Sequence, residues 1–250
     1  MAMLESSDRR KDIPDGLWTK CSSCSEIVYN GELSRNLWIC PRCNHYFPLP
    51  PADRIAVIAD AGSLVRYTAD ARRVACIDEK ACDRSIIIGE IVLSGHRLMI
   101  LAVNPESIGA ETSLFVCEEI IRAINHAIEK RLPLLMVCTN GSGSQAQNGT
   151  LFTGQTLSIS AALSKLNKEK LLYISVLAQS NSRGNFPGFA CVADIVLEES
   201  NLTAEPASNK SDRNETGKIP QTLFQGGMAD MLISRKNLRH VLNDILNFFD

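Results

Sequence analysis

The chain has 250 residues, of which 45% are hydrophobic and 22% charged, and its formal net charge is -2 at pH 7. This length supports one sizeable core plus a small module, and the near-neutral charge argues against a general nucleic-acid binder, which needs a surplus of Lys and Arg. No apolar run is long enough to span a bilayer and the polar start lacks the apolar core of a signal peptide, so we expect a cytoplasmic protein without a membrane partner.

Four of the nine cysteines occur as two pairs within residues 17–50. The spacing is Cys21-x2-Cys24, then fifteen residues, then Cys40-x2-Cys43. Each CxxC turn aims two thiolates at one point, and two such turns form the tetrahedral sulfur set that suits Zn²⁺. Because sulfur fills all four positions and leaves none for water, the metal is predicted to be structural. Four reduced core cysteines, or a redox pair, is the alternative interpretation.

The segment between the two cysteine pairs is predicted to form a hairpin around Asn30-Gly31, a dipeptide typical of tight turns. Trp18, Trp38 and Tyr46 lie nearby in the sequence. We expect these rings to cover the small zinc ribbon, and a stacking surface for nucleic acid is the alternative.

Beyond the ribbon, hydrophobic periodicity predicts strands and helices that alternate around one sheet. The predicted elements, in chain order, are a helix at 53–60, a hairpin of strands at 86–93 and 98–103 with its turn at Ser94-Gly95-His96, a helix at 115–129, a strand at 134–138, a helix at 156–166, strands at 171–177 and 191–197, and a helix from about 236. The strand at 134–138 is wholly apolar, which is typical of a strand buried on both faces.

The domain organisation follows from shifts in composition. Residues 1–16 are polar and are predicted to be a flexible N-terminus, followed by the zinc ribbon at 17–50 and a larger domain at 51–250. Prolines at 48, 50 and 51 mark the boundary, because consecutive prolines interrupt regular pairing. Within the larger domain, 199–218 is polar and nearly free of large apolar groups, so we interpret it as a disordered or surface insertion.

Several stretches resemble a known family. DIPDGLWTKCSSCSEIVYNGELSRNLWICPRCNHYF resembles the zinc ribbon of bacterial acetyl-CoA carboxylase carboxyltransferase β subunits, DRIAVIADAGSL the helix after it, and SGHRLMILAV the hairpin that follows. EEIIRAINHAIEKRLPLLMV resembles the first long helix of that family with its strand. SAALSKLNKEKLLYISVLA resembles the approach to the second glycine loop, and GGMADMLISRKNLRHVLNDILNFF resembles the end of the family sequence. The resemblance implies an α/β (α+β) chain with a crotonase-like ββα superhelix core preceded by a small four-cysteine zinc ribbon.

The same resemblance implies an activity and partners. Family members transfer a carboxyl group from carboxybiotin to acetyl-CoA and give malonyl-CoA for fatty acid biosynthesis. The resemblance therefore implies a carboxyltransferase α subunit in an α2β2 heterotetramer, a biotin carboxyl carrier protein that holds the biotin, and a biotin carboxylase. The chain has no P-loop pattern, so we do not expect it to carry out the ATP-dependent step itself.

The resemblance also implies where the reaction takes place. Negative charge develops on the thioester oxygen, and fixed backbone N–H groups stabilise it. Such donors are expected in two glycine loops that follow buried strands. The catalytic candidates are the backbone N–H groups of Gly141, Ser142, Gly143, Arg183 and Gly184, and the candidates for the CoA region are Gly109 and Gly184.

These loops depart from the family pattern, which has adjacent glycines at both places. Here Ser142 separates two glycines, and Arg183 stands where a glycine is typical. This motivates a second hypothesis, a divergent relative that acts as a malonyl-thioester decarboxylase or as a non-catalytic, regulatory subunit. Without the resemblance, both loops are simply turns that need glycine.

A third hypothesis comes from another functional class. Lys20, Arg35 and Arg42 lie near the aromatic residues of the ribbon, which would suit a nucleic-acid-binding module. The near-neutral charge of the chain makes nucleic acid an unfavoured partner.

The other polar and sulfur-containing side chains are predicted to be structural. His96 is expected in the hairpin turn, and His126 and His240 on polar helix faces. The scattered cysteines are expected to be small core residues: Cys76, Cys82, Cys117, Cys138 and Cys191. The Lys and Arg residues at 9–11, 165–170 and 235–239 are interpreted as solvated faces.

Overall fold

The computed structural model describes six stretches of the chain. They are residues 17–67, 86–104, 110–139, 149–178, 188–199 and 224–249. The chain divides into two compact units, Met1–Phe47 and Pro48–Asp250. Among the described helices, none combines the length and the hydropathy needed to cross a bilayer.

The first unit contains a two-stranded antiparallel sheet and one short helix. Strand β1 (Trp18–Lys20) pairs with β2 (Ile27–Tyr29), and helix α1 (Asn30–Arg35) follows directly. Val28 and Leu33 are buried and form a small core with Phe47 and two of the cysteines. A core of this size needs a further stabilising element, and small domains commonly use a metal for it.

The predicted hairpin turn at Asn30-Gly31 is wrong, because both residues belong to helix α1. A two-residue hairpin turn of this type needs positive φ at both central positions, whereas the residues that follow favour a helix. Glu32 lies in the first turn and Arg35 in the last, where their charges complement the helix dipole. Leu33 is fully buried, so packing against the ribbon core fixes the helix.

The second unit is built on a sheet that has seven strands in the described part of the chain. Its elements are α2 (Pro51–Ile58), β3 (Val65–Arg66), β4 (Ile86–Leu93), β5 (His96–Val103), α3 (Ala110–Lys130), β6 (Leu134–Thr139), α4 (Gly149–Lys168), β7 (Tyr173–Ala178), β8 (Ile195–Glu199), β9 (Met231–Ile233) and α5 (Leu238–Phe249). The strands lie in sequence order from β3 to β9. The pairs β3–β4 and β4–β5 are antiparallel, and β5 to β9 run parallel.

Helices cover both faces of this sheet. On β5, Met99 and Leu101 belong to the core formed with α3 and α4, whereas Leu98 and Ile100 belong to the core formed with α2 and α5. All four side chains are at most 1% exposed. This two-sided burial explains why the strands are almost wholly apolar, as predicted for 134–138.

The β4–β5 hairpin closes through two residues. Leu93 pairs with His96, and the turn is made by Ser94 and Gly95, which have φ values of 51° and 97°. Positive φ at both positions matches the right-handed twist of the strands. His96 is therefore the first residue of β5 rather than part of the turn, and its Nε2 lies 3.0 Å from Oδ1 of Asn247.

Helices α3 and α4 end in the same way, without glycine. Arg131 follows α3 with a φ of 52°, and Lys170 follows α4 with a φ of 56°. In both cases the next residue donates its N–H to a carbonyl five positions earlier. This is a Schellman ending, in which a left-handed residue is usually glycine.

The last parallel strand before β9 starts later than the predicted range 191–197. Residues Gly188–Cys191 form a short 3-10 helix, and β8 begins only at Ile195. Asp194 explains the delay, because its backbone N–H donates to the carbonyl of Tyr173 while its carboxylate accepts from the N–H of Tyr173. Asp194 thus closes the turn beside the start of β7.

The interpretation of 235–239 as a solvated face is wrong for Arg235, which is 0% exposed. Its Nε donates to the carboxylate of Glu199 at the end of β8. Arg239 is half-exposed, but its guanidinium donates to the carbonyls of Ile58 and Ala59 at 3.1 and 2.9 Å. Arg239 of α5 therefore caps the C-terminal end of α2, where a cation is favourable.

His126 is also less exposed than predicted. Its side chain is 15% exposed, its Nε2 lies 2.8 Å from Glu90 Oε1, and its ring stacks against Tyr67 with centroids 4.7 Å apart. Arg97 donates to the other oxygen of Glu90 at 2.6 Å. The hydrogen bond from His126, followed by that from Arg97, holds the pKa of Glu90 below its ordinary value.

This lowered pKa predicts a pH dependence of stability. A carboxyl whose folded pKa lies below its unfolded value stabilises the fold above the unfolded pKa, and this stability is lost as the pH falls through the folded pKa. We expect Glu90→Gln to be less stable than the wild type above about pH 5, and the difference to shrink towards about pH 3. Urea unfolding of both proteins across this range measures it.

A matched control is Glu169→Gln. Glu169 pairs with Arg131 at 3.4 Å, and both side chains are at least half exposed, so we expect little change at any pH. A stability difference for Glu90→Gln that does not depend on pH would contradict the role of the ionised carboxylate.

Candidate functional site

The thiols of the two CxxC turns converge on one point. The Sγ atoms of Cys21, Cys24, Cys40 and Cys43 all lie within 4.8 Å of one another. Two of these distances connect the two turns, with Cys21 to Cys43 at 3.6 Å and Cys24 to Cys40 at 3.8 Å. Four sulfurs bound tetrahedrally at about 2.3 Å from Zn²⁺ are separated by about 3.8 Å. The thiol cluster therefore fits a structural zinc ion.

The two turns that carry these thiols have the same backbone structure. The carbonyl of Cys21 accepts from the N–H of Ser25, and the carbonyl of Cys40 accepts from the N–H of Asn44, both at 2.9 Å. Ser25 and Asn44 have positive φ values of 63° and 59°. Each first cysteine also donates its own N–H to a carbonyl five positions later, at 2.8 Å. Two equivalent turns thus present two thiols each to a shared centre.

The thiols influence one another's ionisation. Burial raises the pKa of Cys43, but the backbone N–H of His45 and the other three thiols lower it to about 7. A backbone N–H at Glu26 lowers the pKa of Cys24, but burial and the other three thiols raise it to about 12. Ionisation of one thiol thus disfavours ionisation of its neighbours. A divalent cation offsets this repulsion because it stabilises all four thiolates.

His45 lies beside the thiol cluster and outside it. Its Nε2 is 3.0 Å from the Oγ of Ser22, and this contact connects the two turns. The His45 ring packs against Phe47. The cluster that the described residues form contains only cysteines. A set of four cysteines without histidine suits a closed, structural site.

The aromatic residues of the ribbon play different parts. Tyr46 is 5% exposed and Trp38 packs against the ribbon core, so both cover it as expected. Trp18 is 56% exposed, so it does not cover the core as expected, and its ring packs at a tilt of 59° against Tyr29 with centroids 5.3 Å apart. Trp18 therefore lies on the outer face of the β1–β2 pair.

The predicted catalytic and CoA-region residues lie outside the described residues. They are Gly109, Gly141, Ser142, Gly143, Arg183 and Gly184. The structure does describe the strands from which the two loops leave. Strand β6 ends at Thr139 and β7 ends at Ala178, and these two residues are paired neighbours in the parallel ladder. Both loops thus begin at adjacent points on the carboxyl edge of the sheet, where ligands of parallel sheets commonly bind.

Sequence reasoning missed two buried acids beside these loops. Glu198 and Glu199 end strand β8 and are 0% and 1% exposed. Glu198 accepts a hydrogen bond from the N–H of Phe224 at 2.8 Å, and Glu199 binds two buried arginines. The predicted insertion starts at 199. Because that residue begins a polar stretch of sequence, nothing in the pattern indicated that it is the last residue of a strand. The remainder of 199–218 lies outside the described residues.

The scattered cysteines divide between described and undescribed positions. Cys117 and Cys138 are buried, as expected for small core residues, and Cys191 is partly buried. Burial raises the pKa of the Cys138 thiol, so it stays protonated. Cys76 and Cys82 lie outside the described residues.

Comparison with known sequences gives a consistent result. Residues 18–43 match the family described as the acetyl-CoA carboxylase zinc finger domain. The chain is 32% identical to the acetyl-coenzyme A carboxylase carboxyl transferase subunit beta of Desulforamulus reducens, over 96% of this chain and 90% of that protein. It is 29% identical to the protein of the same name from Clostridium botulinum, over 94% of this chain and 88% of that one. Together with the thiol cluster, the zinc finger match confirms the predicted structural Zn²⁺.

Solved structures support the fold. A Pseudomonas malonate decarboxylase hetero-tetramer in complex with malonate matches with a TM-score of 0.56 and 19% identity, over 87% of this chain and 86% of that chain. The transcarboxylase 12S structure with methylmalonyl-coenzyme A matches with a TM-score of 0.54 and 16% identity, over 81% of this chain and 42% of that chain. At these identities the likeness shows the fold alone, and it confirms the predicted crotonase-like core after a four-cysteine ribbon.

The thiol cluster predicts how the chain responds to loss of one sulfur. We expect the wild type to retain about one zinc per chain after dialysis, and Cys40→Ser to lose it along with the ordered ribbon, because structural zinc binding is part of the folding free energy. Metal analysis by atomic emission and the tryptophan fluorescence of the ribbon measure both effects. Cys191→Ser is the control and should keep its zinc; equal zinc in both variants would contradict the assignment.

Proposed function

The chain belongs to the family of acetyl-CoA carboxylase carboxyltransferase β subunits, and we propose that it transfers a carboxyl group from carboxybiotin to acetyl-CoA, giving malonyl-CoA. The observation that carries this proposal is the 32% identity with one such subunit over 96% of the chain. The thioester loses a proton from its methyl carbon, a carbon–carbon bond forms to the carboxyl carbon, and the bond from that carbon to the biotin nitrogen breaks. Biotin takes up the proton.

The two glycine loops are proposed as the site of this reaction. The paired ends of β6 and β7, at Thr139 and Ala178, support the proposal, because they start both loops from one place. We propose that the backbone N–H groups of these loops bind the enolate oxygen of the thioester. A fixed donor of this kind contributes about 3 kcal/mol to the transition state. The candidate donors are Gly141, Ser142, Gly143, Arg183 and Gly184, with Gly109 and Gly184 in the CoA region.

Arg183 is compatible with this proposal. Its backbone N–H remains a donor, although a left-handed backbone would cost a non-glycine residue about 1–2 kcal/mol. If the loop binds the thioester as proposed, the guanidinium adds a positive charge near the oxygen on which negative charge develops. The departure from adjacent glycines thus changes the environment of the donor without removing it.

The ribbon is proposed to be structural in this enzyme. We assign Cys21, Cys24, Cys40 and Cys43 as the zinc ligands and 17–50 as the ribbon, preceded by residues 1–16, which lie outside the described residues. The reaction is assigned to the domain at 51–250, with 199–218 as a polar insertion. A closed set of four thiolates leaves zinc no open position for substrate.

Partners follow from the family. We propose that the chain assembles with a carboxyltransferase α subunit into an α2β2 heterotetramer and receives carboxybiotin from a biotin carboxyl carrier protein charged by biotin carboxylase. We propose a cytoplasmic location, where acetyl-CoA and these partners would be available. Nucleic acid is not among the proposed partners, given the net charge of -2.

The proposal is tested by the reverse reaction with a co-expressed α subunit. We expect malonyl-CoA and biotin to yield acetyl-CoA only when both the α subunit and biotin are present. Acetyl-CoA formed without biotin would identify a thioester decarboxylase instead. A stable complex with α but no turnover would identify a non-catalytic subunit, and either result would refute carboxyl transfer.

A second prediction concerns the donor at 183. Arg183→Pro removes the backbone N–H, so kcat should fall by about 10²–10³ if this group binds the enolate oxygen. Arg183→Ala keeps the N–H, so the kcat of this variant should fall much less. Steady-state rates in the reverse assay measure kcat for both variants, and circular dichroism verifies that they fold. Equal losses of kcat in the two variants would assign the effect to the side chain rather than to the N–H.

A further inference from the structure

Two arginines share one carboxylate inside the second unit. Arg54 of helix α2 donates from Nη1 to Oε2 of Glu199, and Arg235 donates from Nε to Oε1 of the same residue. The side chains come from three separate places: α2, the end of β8 and the segment after β9. We call Arg54, Glu199 and Arg235 the buried triad.

Two guanidinium groups meet one carboxylate in the buried triad, and Arg235 also interacts outside the triad. The three members are 0–1% exposed, so water does not screen their charges. Burial lowers the pKa of Arg54, the Glu199 carboxylate raises it in part, and the charge of Arg235 lowers it again. A buried guanidinium such as that of Arg54 is unfavourable unless its N–H groups are paired.

Arg54 has one unused edge. Its Nε and Nη2 are buried and have no hydrogen-bond partner in the described part of the chain. These two nitrogens lie side by side on one edge of the guanidinium plane, whereas Nη1, which binds Glu199, lies on the other side. Such an edge presents two parallel N–H groups that match the two oxygens of a carboxylate or phosphate.

Unpaired donors of this kind are rare. Buried polar groups in native proteins are almost always hydrogen-bonded, and an exception calls for an explanation such as a bound ion. A charged donor that loses water without gaining a partner is especially unfavourable. A single oxyanion on Arg54 would satisfy both of these N–H groups.

We propose that the buried triad is a binding site for a small oxyanion, a carboxylate or a phosphate, held by Nε and Nη2 of Arg54. The proposal is independent of the carboxyl transfer proposed above. Glu199 orients Arg54 through Nη1 and thereby leaves the opposite edge for the ligand. The guanidinium of Arg54 favours an anion, and its two parallel N–H groups select one with two acceptor oxygens over chloride.

The site lies at the carboxyl edge of the sheet. Leu177 pairs with Glu198, so Glu199 is level with Ala178, the last residue before the second glycine loop. At 1% exposure, Arg54 is closed to bulk water. The anion therefore enters through local opening of the structure, and binding has to be measured after long incubation.

The test uses the full zinc-loaded chain in chloride buffer, with inorganic phosphate or formate added at constant ionic strength. A ligand that binds only the folded protein raises Tm, by about 5–10 °C at about 100 times Kd. We expect this rise for the wild type and not for Arg54→Lys, which keeps the charge but lacks the paired N–H groups. Arg131→Lys, at an exposed arginine, is the control and should respond like the wild type.

A second measurement keeps the test decisive if Arg54→Lys folds poorly. The Nε–H resonance of Arg54 in the wild type should shift on addition of phosphate or formate and stay unchanged with chloride. A response to either oxyanion supports the site. The proposal is overturned if this resonance does not shift, or if Tm rises equally for Arg54→Lys and the wild type. The partner of Arg54 would then be internal water or a carboxylate of the chain.

Discussion

The second unit depends on covering both faces of a parallel sheet. Strands β5 to β9 run parallel, and their side chains alternate between two apolar cores. Apolar strands of this kind are stable only when helices shield each face from water. Helices α3 and α4, which connect the parallel strands, shield one face, while α2 and α5, from the two ends of the unit, shield the other. The first and last helices of the unit therefore meet on one side, where Arg239 joins them.

The same sheet determines where its loops begin. Parallel strands bring their carboxyl ends to one edge, so loops far apart in sequence start side by side. Thr139 and Ala178 show this for the two glycine loops, and Glu199 is level with them on the next strand. The described part of this edge thus combines loop starting points with a buried charge cluster. A crotonase-like core supplies this edge, and the proposed reaction site lies in the loops that leave it.

Sequence reasoning predicted the order of the elements well, because hydrophobic periodicity directly reflects which face is buried. It also predicted the thiol cluster, since CxxC spacing fixes local geometry. It failed where local preference and tertiary context disagree. Asn30-Gly31 favours a turn but joins a helix held by Leu33, and Arg235 is typical of a surface yet is fully buried against Glu199. Buried ion clusters join distant segments, so no local pattern predicts them.

The edges of the sheet have a consequence for behaviour at high concentration. Within the described residues, the two edge strands are the shortest, with two residues in β3 and three in β9. An edge strand exposes unpaired N–H and C=O groups that can recruit a strand from another molecule, and short edges limit this. The apolar strands β5 to β8 are all internal, and each pairs with a strand on either side. Among the described strands, β5 to β8 are thus kept away from the positions at which intermolecular β-pairing would begin.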